Sequence, residues 1–159
     1  MAINAKAEVL IRSISDPETI EAAVRAVLKQ GGTCSLMLTG GRSATRVYAA
    51  WASSNDFPPE GTQLFFGDER CVSPDHAASN YGLAARSLFP LGLPSGLTIN
   101  RMEGERVNLE EAARDYEAKL PDSIDVLTRF DALFLRLLKP FRALTPADLF
   151  PFAFFCTSV

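Results

Sequence analysis

The feature that most constrains the fold of this sequence is a recurring order: a short apolar run, a turn of glycine or polar residues, and a helix with one apolar face. The first unit starts with Cys34–Leu38, passes a glycine pair, and enters a segment whose apolar residues fall at helical spacing: Ala44, Val47, Tyr48 and Trp51. The second starts with a predicted strand over 63–66, whose residues 64–66 are apolar, passes a polar loop over 67–78, and enters a helix that Ser79 is expected to cap. Strands that alternate with helices predict an α/β fold: an open parallel sheet of Rossmann-like type, with helices on both faces in three layers.

Weaker signals extend this pattern in both directions. The stretch 7–14 predicts an opening strand, placed at a sheet edge because Arg12 interrupts its apolar residues. Asp16 as a cap and Pro17 at the first position predict a helix, which Gly31-Gly32 should end. The other predicted elements are a strand over 97–102, a helix from the cap Asn108 to Leu120, and a strand over 130–135.

Composition narrows the class of protein. The chain has 159 residues, a net charge of -3 and 47% hydrophobic residues, which is ordinary for one globular domain and excludes collagen-like and disordered chains. Mild acidity without Lys/Arg runs predicts no nucleic-acid partner and no membrane partner. Three scattered cysteines and a single histidine indicate neither a disulfide framework nor a metal site. Since no apolar window is long enough to act as a signal or to span a bilayer, the expected location is the cytoplasm. The pattern specifies no oligomeric state.

The first candidate site is the glycine loop, residues 39–43, which follows the first apolar run. Gly40 and Gly41 would let backbone N–H groups approach an anion, while the positive end of the next helix and the Ser43 hydroxyl would add to the attraction. A sugar phosphate suits such a loop. A plain tight turn with Ser43 as a cap is the equally weighted alternative. The loop matches neither nucleotide-binding glycine motif, which disfavours a nucleotide ligand.

The second candidate site is the stretch 67–72, which follows the apolar residues 64–66 and begins the polar loop over 67–78, called the acidic loop below. Its consecutive charges Asp68, Glu69 and Arg70 are costly to bury without partners, so they are either solvated or in contact with a polar ligand. Arg70 could hold a phosphate, and Asp68 or Glu69 could orient a sugar hydroxyl or a water molecule. The carboxyl ends of parallel strands share one sheet edge, which favours the functional interpretation. His76 is interpreted as a turn residue rather than a catalytic one.

Taken together, these residues resemble the 6-phosphogluconolactonase family. The resemblance covers about residues 7 to 135 and rests on the glycine loop, on Gly67-Asp68-Glu69-Arg70-Cys71-Val72, and on Ser79-Asn80-Tyr81. Related glucosamine-6-phosphate deaminases share the scaffold but carry Asp-Glu-Tyr at the position of 68–70. Arg70 and Asn80 therefore favour the lactonase.

The resemblance implies hydrolysis of 6-phospho-D-glucono-1,5-lactone to 6-phosphogluconate in the pentose phosphate pathway, without a metal or organic cofactor. By the same analogy, the residues that bind the phosphate side are Gly40, Gly41, Arg42 and Ser43. Arg70 would hold an anionic group, and Asp68 would be the catalytic residue that orders the reacting end.

The sequence departs from this family after Leu135. Lactonases continue with a Gly-x-Gly-x-Asp-Gly-His loop whose histidine is held to be the general base, whereas Arg142 stands at that position here. Arginine stays protonated and cannot act as a base. We therefore expect a lactonase-like α/β domain over 1–135, incomplete at its C-terminus, and a divergent apolar tail over 136–159 that reflects truncation or a frameshift. Impaired hydrolysis is expected, and the alternatives are a non-catalytic sugar-phosphate-binding fragment and a sugar-phosphate isomerase or deaminase.

Overall fold

The computed structural model describes residues 9–11, 17–28, 34–54, 58–122, 124–129 and 134–136. The helices are α1 (Pro17–Leu28), α2 (Arg42–Ala52), α3 (Asn80–Ser87) and α4 (Leu109–Glu117). The strands are β1 (Val9–Ile11), β2 (Cys34–Leu38), β3 (Thr62–Phe66), β4 (Thr98–Ile99), β5 (Val126–Arg129) and β6 (Phe134–Arg136).

The described strands form one sheet in the order β1-β6-β5-β2-β3-β4. The four strands β5, β2, β3 and β4 run parallel, whereas β6 pairs antiparallel with both β5 and β1. The predicted α/β class is confirmed, and the predicted edge position of the opening strand is confirmed with it. The sheet is mixed rather than wholly parallel, and the strands that carry the two candidate loops belong to its parallel part.

Side chains alternate across the central strands, so both faces of the sheet are covered. Leu36 and Leu38 of β2 pack with α1, α2 and α3 in one apolar cluster. Met37 and Phe65 point to the opposite face and pack there with Tyr116 of α4. The three-layer arrangement predicted from the alternating pattern is therefore present.

Three predicted elements have different bounds in the structure. Of the strand expected over 130–135, residues 134 and 135 lie in β6, and residues 130–133 lie outside the described ranges. The preceding strand β5 was not predicted, and it pairs with β2 through Val126 and Leu127. The strand expected over 97–102 pairs with β3 only at Thr98–Ile99. Helix α4 ends at Glu117 instead of Leu120, since Pro121 disfavours helical backbone in the residue before it.

Several predictions fall on residues outside the described ranges. Among them are the cap at Asp16, the helix stop at Gly31-Gly32, Arg142, and all but Arg136 of the apolar tail over 136–159. The division into a domain over 1–135 and a divergent tail thus stays a prediction. Within the described part of the chain, none of the helices has the length and apolar character needed to cross a membrane.

Candidate functional site

The structure brings the two predicted loops together at one edge of the sheet. Strands β2 and β3 are parallel neighbours, and their last residues, Leu38 and Phe66, are register partners. The backbone N–H of Gly67 donates to the Leu38 carbonyl at 3.0 Å just beyond the last paired residues. The glycine loop and the acidic loop therefore leave the sheet side by side, as expected for the carboxyl ends of parallel strands.

A tyrosine hydroxyl holds the first residue of the glycine loop. Tyr48 of α2 donates to the carbonyl of Thr39 at 2.7 Å and accepts from the N–H of the same residue at 3.0 Å. Tyr48 is one of the residues at helical spacing on the predicted apolar face, and it is fully buried. The hydroxyl adds a role that the helical spacing did not reveal, because it fixes the backbone where the glycine loop begins.

The N-terminus of α2 is open to solvent. Its N-cap is Gly41, with φ 95° and ψ 170°, a conformation that is essentially restricted to glycine. Gly41 and Arg42 are exposed, and Ser43 lies in the first helical turn instead of acting as the cap. In the described part of the chain, no side chain caps this end of α2. The positive end of the helix is therefore accessible from solvent at Gly41 and Arg42.

The two glycines serve different purposes. A Cβ on Gly41 would meet no atom within 4 Å, so glycine is required there for its backbone conformation. A Cβ on Gly40 would lie 1.7 Å from Oδ1 of Asn80, whose carboxamide occupies the space. Glycine is therefore required at position 40 to leave room for Asn80, the first residue of α3.

Glu69 is buried in the acidic loop and closes the N-terminus of α3. Glu69 is only 2% exposed. Its two carboxylate oxygens accept four hydrogen bonds. The donors are the backbone N–H groups of Arg70 (2.8 Å), Asn80 (2.7 Å) and Tyr81 (2.8 Å) and the hydroxyl of Ser79 (3.2 Å). Ser79 also caps α3 as predicted, since its hydroxyl accepts from the Gly82 N–H. The expectation that Glu69 meets solvent or a ligand is wrong, because N–H groups of the chain itself satisfy its charge.

Asp68 and Arg70 stand on either side of Glu69 and remain accessible. The Asp68 side chain is 30% exposed and that of Arg70 44%, and the two groups approach within 4.0 Å (Oδ2 to Nε). The backbone of Arg70 is held firmly: its N–H donates to Glu69, its carbonyl accepts from Val72 at 2.8 Å, and Gly104 packs against that carbonyl. A fixed backbone thus presents a guanidinium and a carboxylate to solvent beside the glycine loop.

A second tyrosine supports the strand end below the acidic loop. Tyr116 of α4 donates to the Phe66 carbonyl and accepts from the Phe66 N–H, each at 2.8 Å. Strand β4 stops pairing opposite Leu64, so the hydroxyl replaces the partner that Phe66 would otherwise lack on that side. Burial raises the pKa of Tyr116 well above its usual value, with the Glu69 charge adding to the shift.

His76 lies in the acidic loop as a turn residue. It is exposed, its Nδ1 accepts from the Ala78 N–H at 3.1 Å, and its backbone carbonyl accepts from Ser79. This agrees with its interpretation as a hydrogen-bonding turn residue. Within the described ranges, no three His, Cys, Asp or Glu side chains are grouped as metal ligands.

The residues that sequence reasoning missed are those that hold the loops in place. Asn80 was noted only as part of the Ser-Asn-Tyr motif, and Tyr116 only as part of an amphipathic helix. The hydroxyl of Tyr116 bonds to a residue 50 positions away in the chain, so no local sequence pattern indicates this contact. For Asn80 the decisive fact is its burial, which requires a partner for its side chain and which the sequence does not show.

Comparison with known proteins agrees with this arrangement. The family model described as glucosamine-6-phosphate isomerases/6-phosphogluconolactonase matches residues 6–137. A 6-phosphogluconolactonase of Chlamydia pneumoniae is 32% identical over 122 residues, which are 73% of this chain and 44% of that protein. This chain thus spans less than half the length of that relative.

Solved structures share the fold. The crystal structure of 6-phosphogluconolactonase from Thermotoga maritima superposes with a TM-score of 0.62 and 23% identity, over 82% of this chain and 73% of that chain. A 6-phosphogluconolactonase from Shewanella baltica gives 0.57 and 18% identity, over 70% and 50% of the two chains. With the family match extending over 6–137, this chain belongs to the glucosamine-6-phosphate isomerase/6-phosphogluconolactonase family.

Proposed function

We propose that the paired loops bind 6-phospho-D-glucono-1,5-lactone and that the chain hydrolyses it to 6-phosphogluconate, in the cytoplasm and without a metal or organic cofactor. The observation that carries the proposal is the adjacency of two unlike features. The open N-terminus of α2 attracts an anion, and the accessible pair Asp68 and Arg70 stands beside it. A phosphorylated lactone has a matching pair of ends, one anionic and one reactive.

The glycine loop is the proposed phosphate site. Gly40 and Gly41 lead into α2, and Arg42 and Ser43 begin it, so the first N–H groups of the helix and its dipole favour an anion there. Arg42 adds a full positive charge in the first turn, and the Ser43 hydroxyl adds a donor. The phosphate takes no part in the reaction, so its binding energy serves to orient the lactone.

Asp68 and Arg70 are the residues proposed for the lactone end. Hydrolysis adds water to the carbonyl carbon, places negative charge on the carbonyl oxygen, and then breaks the bond to the ring oxygen. Arg70 can hold an anionic group of the ligand, since its guanidinium donates several hydrogen bonds and stays charged. Asp68 can accept a hydrogen bond from the attacking water and order it against the carbonyl.

The rate of hydrolysis is expected to be low. The family resemblance assigns the general base to a histidine, but this chain has Arg142 at that position and His76 is its single histidine. His76 is exposed in a turn and accepts a backbone hydrogen bond through Nδ1. Loss of a general base typically costs about 100- to 10,000-fold in rate. The chain should therefore bind its substrate better than it hydrolyses it.

Hydrolysis of freshly generated lactone, with the spontaneous reaction subtracted, tests this proposal. The expected result is slow turnover that Asp68→Ala abolishes, while Asp122→Ala, which removes an exposed carboxylate after α4, leaves the rate unchanged. Equal rates in the wild type and Asp68→Ala would contradict the proposed role of Asp68. Binding of 6-phosphogluconate without any turnover would instead identify a sugar-phosphate-binding fragment.

The binding fragment is the second candidate function, favoured by the turn position of His76 and by the fully formed glycine loop. The isomerase or deaminase activity known from the same family is distinguished by its product. Conversion of an aldose phosphate or an amino-sugar phosphate would support it, and Arg70 argues for the lactone.

A further inference from the structure

We infer that Asn80 is a positioning residue that sets the distance and orientation between the two halves of the site. The inference rests on the proposed function, because it assumes one ligand that spans both loops. Asn80 is only 5% exposed and lies at the first position of α3, so its side chain is committed to contacts inside the protein.

Asn80 contacts both loops at once. Its Nδ2 donates to the carbonyl of Asp68 at 3.0 Å, and its backbone N–H donates to Glu69 at 2.7 Å. On its other side, the carboxamide fills the space where Gly40 has no side chain. A single side chain therefore joins the residue proposed to order the lactone end to the loop proposed to bind phosphate.

Each loop also has its own support. The Tyr48 hydroxyl holds the start of the glycine loop, and the Glu69 carboxylate holds the acidic loop against α3. Removing the Asn80 carboxamide should thus leave the shape of each loop intact and change their relative placement. Such a change harms a ligand that spans both loops more than one that touches a single loop, since small misplacements are costly in an oriented site.

Two ligands and a matched control separate these effects. Calorimetric titrations would measure the affinities of inorganic phosphate, which needs only the glycine loop, and of 6-phosphogluconate, which spans both. Asn80→Ala should lower the affinity for 6-phosphogluconate by about tenfold and that for phosphate by less than about twofold. The control is Asn108→Ala, which removes the cap of α4 away from the loops and should leave both affinities unchanged.

The geometry itself is tested without a ligand. Gly40→Ala should lower the melting temperature strongly in the wild type, because the new Cβ collides with the Asn80 carboxamide, and much less in the Asn80→Ala background. Should Asn80→Ala not fold, Asn80→Ser serves in both measurements.

The results discriminate between the claims. A selective loss of 6-phosphogluconate affinity together with a smaller effect of Gly40→Ala in the variant supports the inference. Equal losses for both ligands, no loss for either, or additive effects of the two substitutions would overturn it. A different outcome is a wild type that binds neither ligand but shows the expected coupling of Gly40 and Asn80. That outcome would show that the proposed function is wrong, and the positioning role, which depends on it, would be wrong as well.

Discussion

Helices α2 and α3 start at equivalent places in the fold but treat their N-termini in opposite ways. Each follows a parallel strand and points its positive end towards the same sheet edge. At α3, Ser79 caps the helix and the Glu69 carboxylate accepts from its first N–H groups. At α2, the cap is a glycine, which has no side chain to accept from the helix, and Gly41 and Arg42 are exposed. The chain supplies its own anion to one helix and leaves the other for an anion from solution.

The loops do not differ in how their strand ends are held. Tyr48 and Tyr116 use the same device, a hydroxyl that both donates to and accepts from one backbone residue. Thr39 at the start of the glycine loop and Phe66 at the end of β3 are thereby held by the same pair of hydrogen bonds. The functional difference between the loops therefore comes from the helix N-termini and not from anchoring.

The largest expected effect comes from Glu69→Gln. The variant removes the charge and turns an NH2 group towards N–H donors, so buried donors lose their partners at about 1–3 kcal/mol each. We expect a loss of about 3 kcal/mol in the free energy of unfolding, measured with urea. Glu110→Gln is the matched control, since Glu110 lies exposed in the first turn of α4 and should contribute less than about 1 kcal/mol. Equal losses in the two variants would show that Glu69 is not an internal anion for α3.

The next effect is that of removing the supporting hydroxyls. Tyr116→Phe leaves the buried N–H and carbonyl of Phe66 without this partner and should cost about 2 kcal/mol. Tyr48→Phe should cost about 1 kcal/mol, because Thr39 is half-buried and water can reach its backbone. Urea unfolding at neutral pH measures both. A larger loss for Tyr48→Phe would reverse the order that burial predicts.

Tyr116 should also make stability depend on alkaline pH. Its pKa is raised in the folded protein by burial, so its contribution is present below the unfolded value of about 10 and is lost as the pH rises above it. The wild type should therefore lose stability between about pH 10 and 11 through ionisation of the unfolded chain. The loss should be smaller in Tyr116→Phe; an identical pH profile would exclude this contribution.

A smaller effect is expected from Gly41→Ala. The residue has φ 95°, where a side chain costs about 1 kcal/mol or more. The substitution should also disturb the open N-terminus of α2 and weaken phosphate binding. Gly61→Ala is the matched control, because Gly61 has φ 85° in the turn before β3, remote from the α2 N-terminus. It should lower the melting temperature similarly and leave phosphate affinity unchanged. Equal affinities in both variants would argue against anion binding at Gly41.

The features predictable from sequence are those with local causes. The bounds of β2 follow from its apolar run, and the caps Ser79 and Asn108 follow from side chains that accept bonds three residues ahead. The positive φ of Gly41 is also local, since it belongs to the turn between β2 and α2.

Features with distant causes were not predictable. The burial of Glu69 depends on the backbone N–H groups of Asn80 and Tyr81, which lie 11 and 12 residues later in the chain. The need for glycine at position 40 comes from Asn80, at the start of α3. Strand β5 exists because β2 offers it an unpaired edge, although the pair is separated by about 90 residues in the chain, as the Ser35–Asp125 hydrogen bond illustrates. In each case the decisive partner is brought close only by the folded chain.

The substitution Ser43→Asp tests the difference between α2 and α3 directly, because it would give α2 an anion of its own, as Glu69 does for α3. A carboxylate in the first turn of α2 should stabilise the protein by about 0.5 kcal/mol, because it interacts with the positive helix end. The same carboxylate should compete with phosphate and repel it, so the affinity for inorganic phosphate should fall, most strongly at low salt. Ser43→Asn, which has nearly the same shape without the charge, should leave both quantities close to those of the wild type. If Ser43→Asp stabilises the protein and keeps its phosphate affinity, the anion binds elsewhere and the open end of α2 is not the site that the glycine loop was proposed to form.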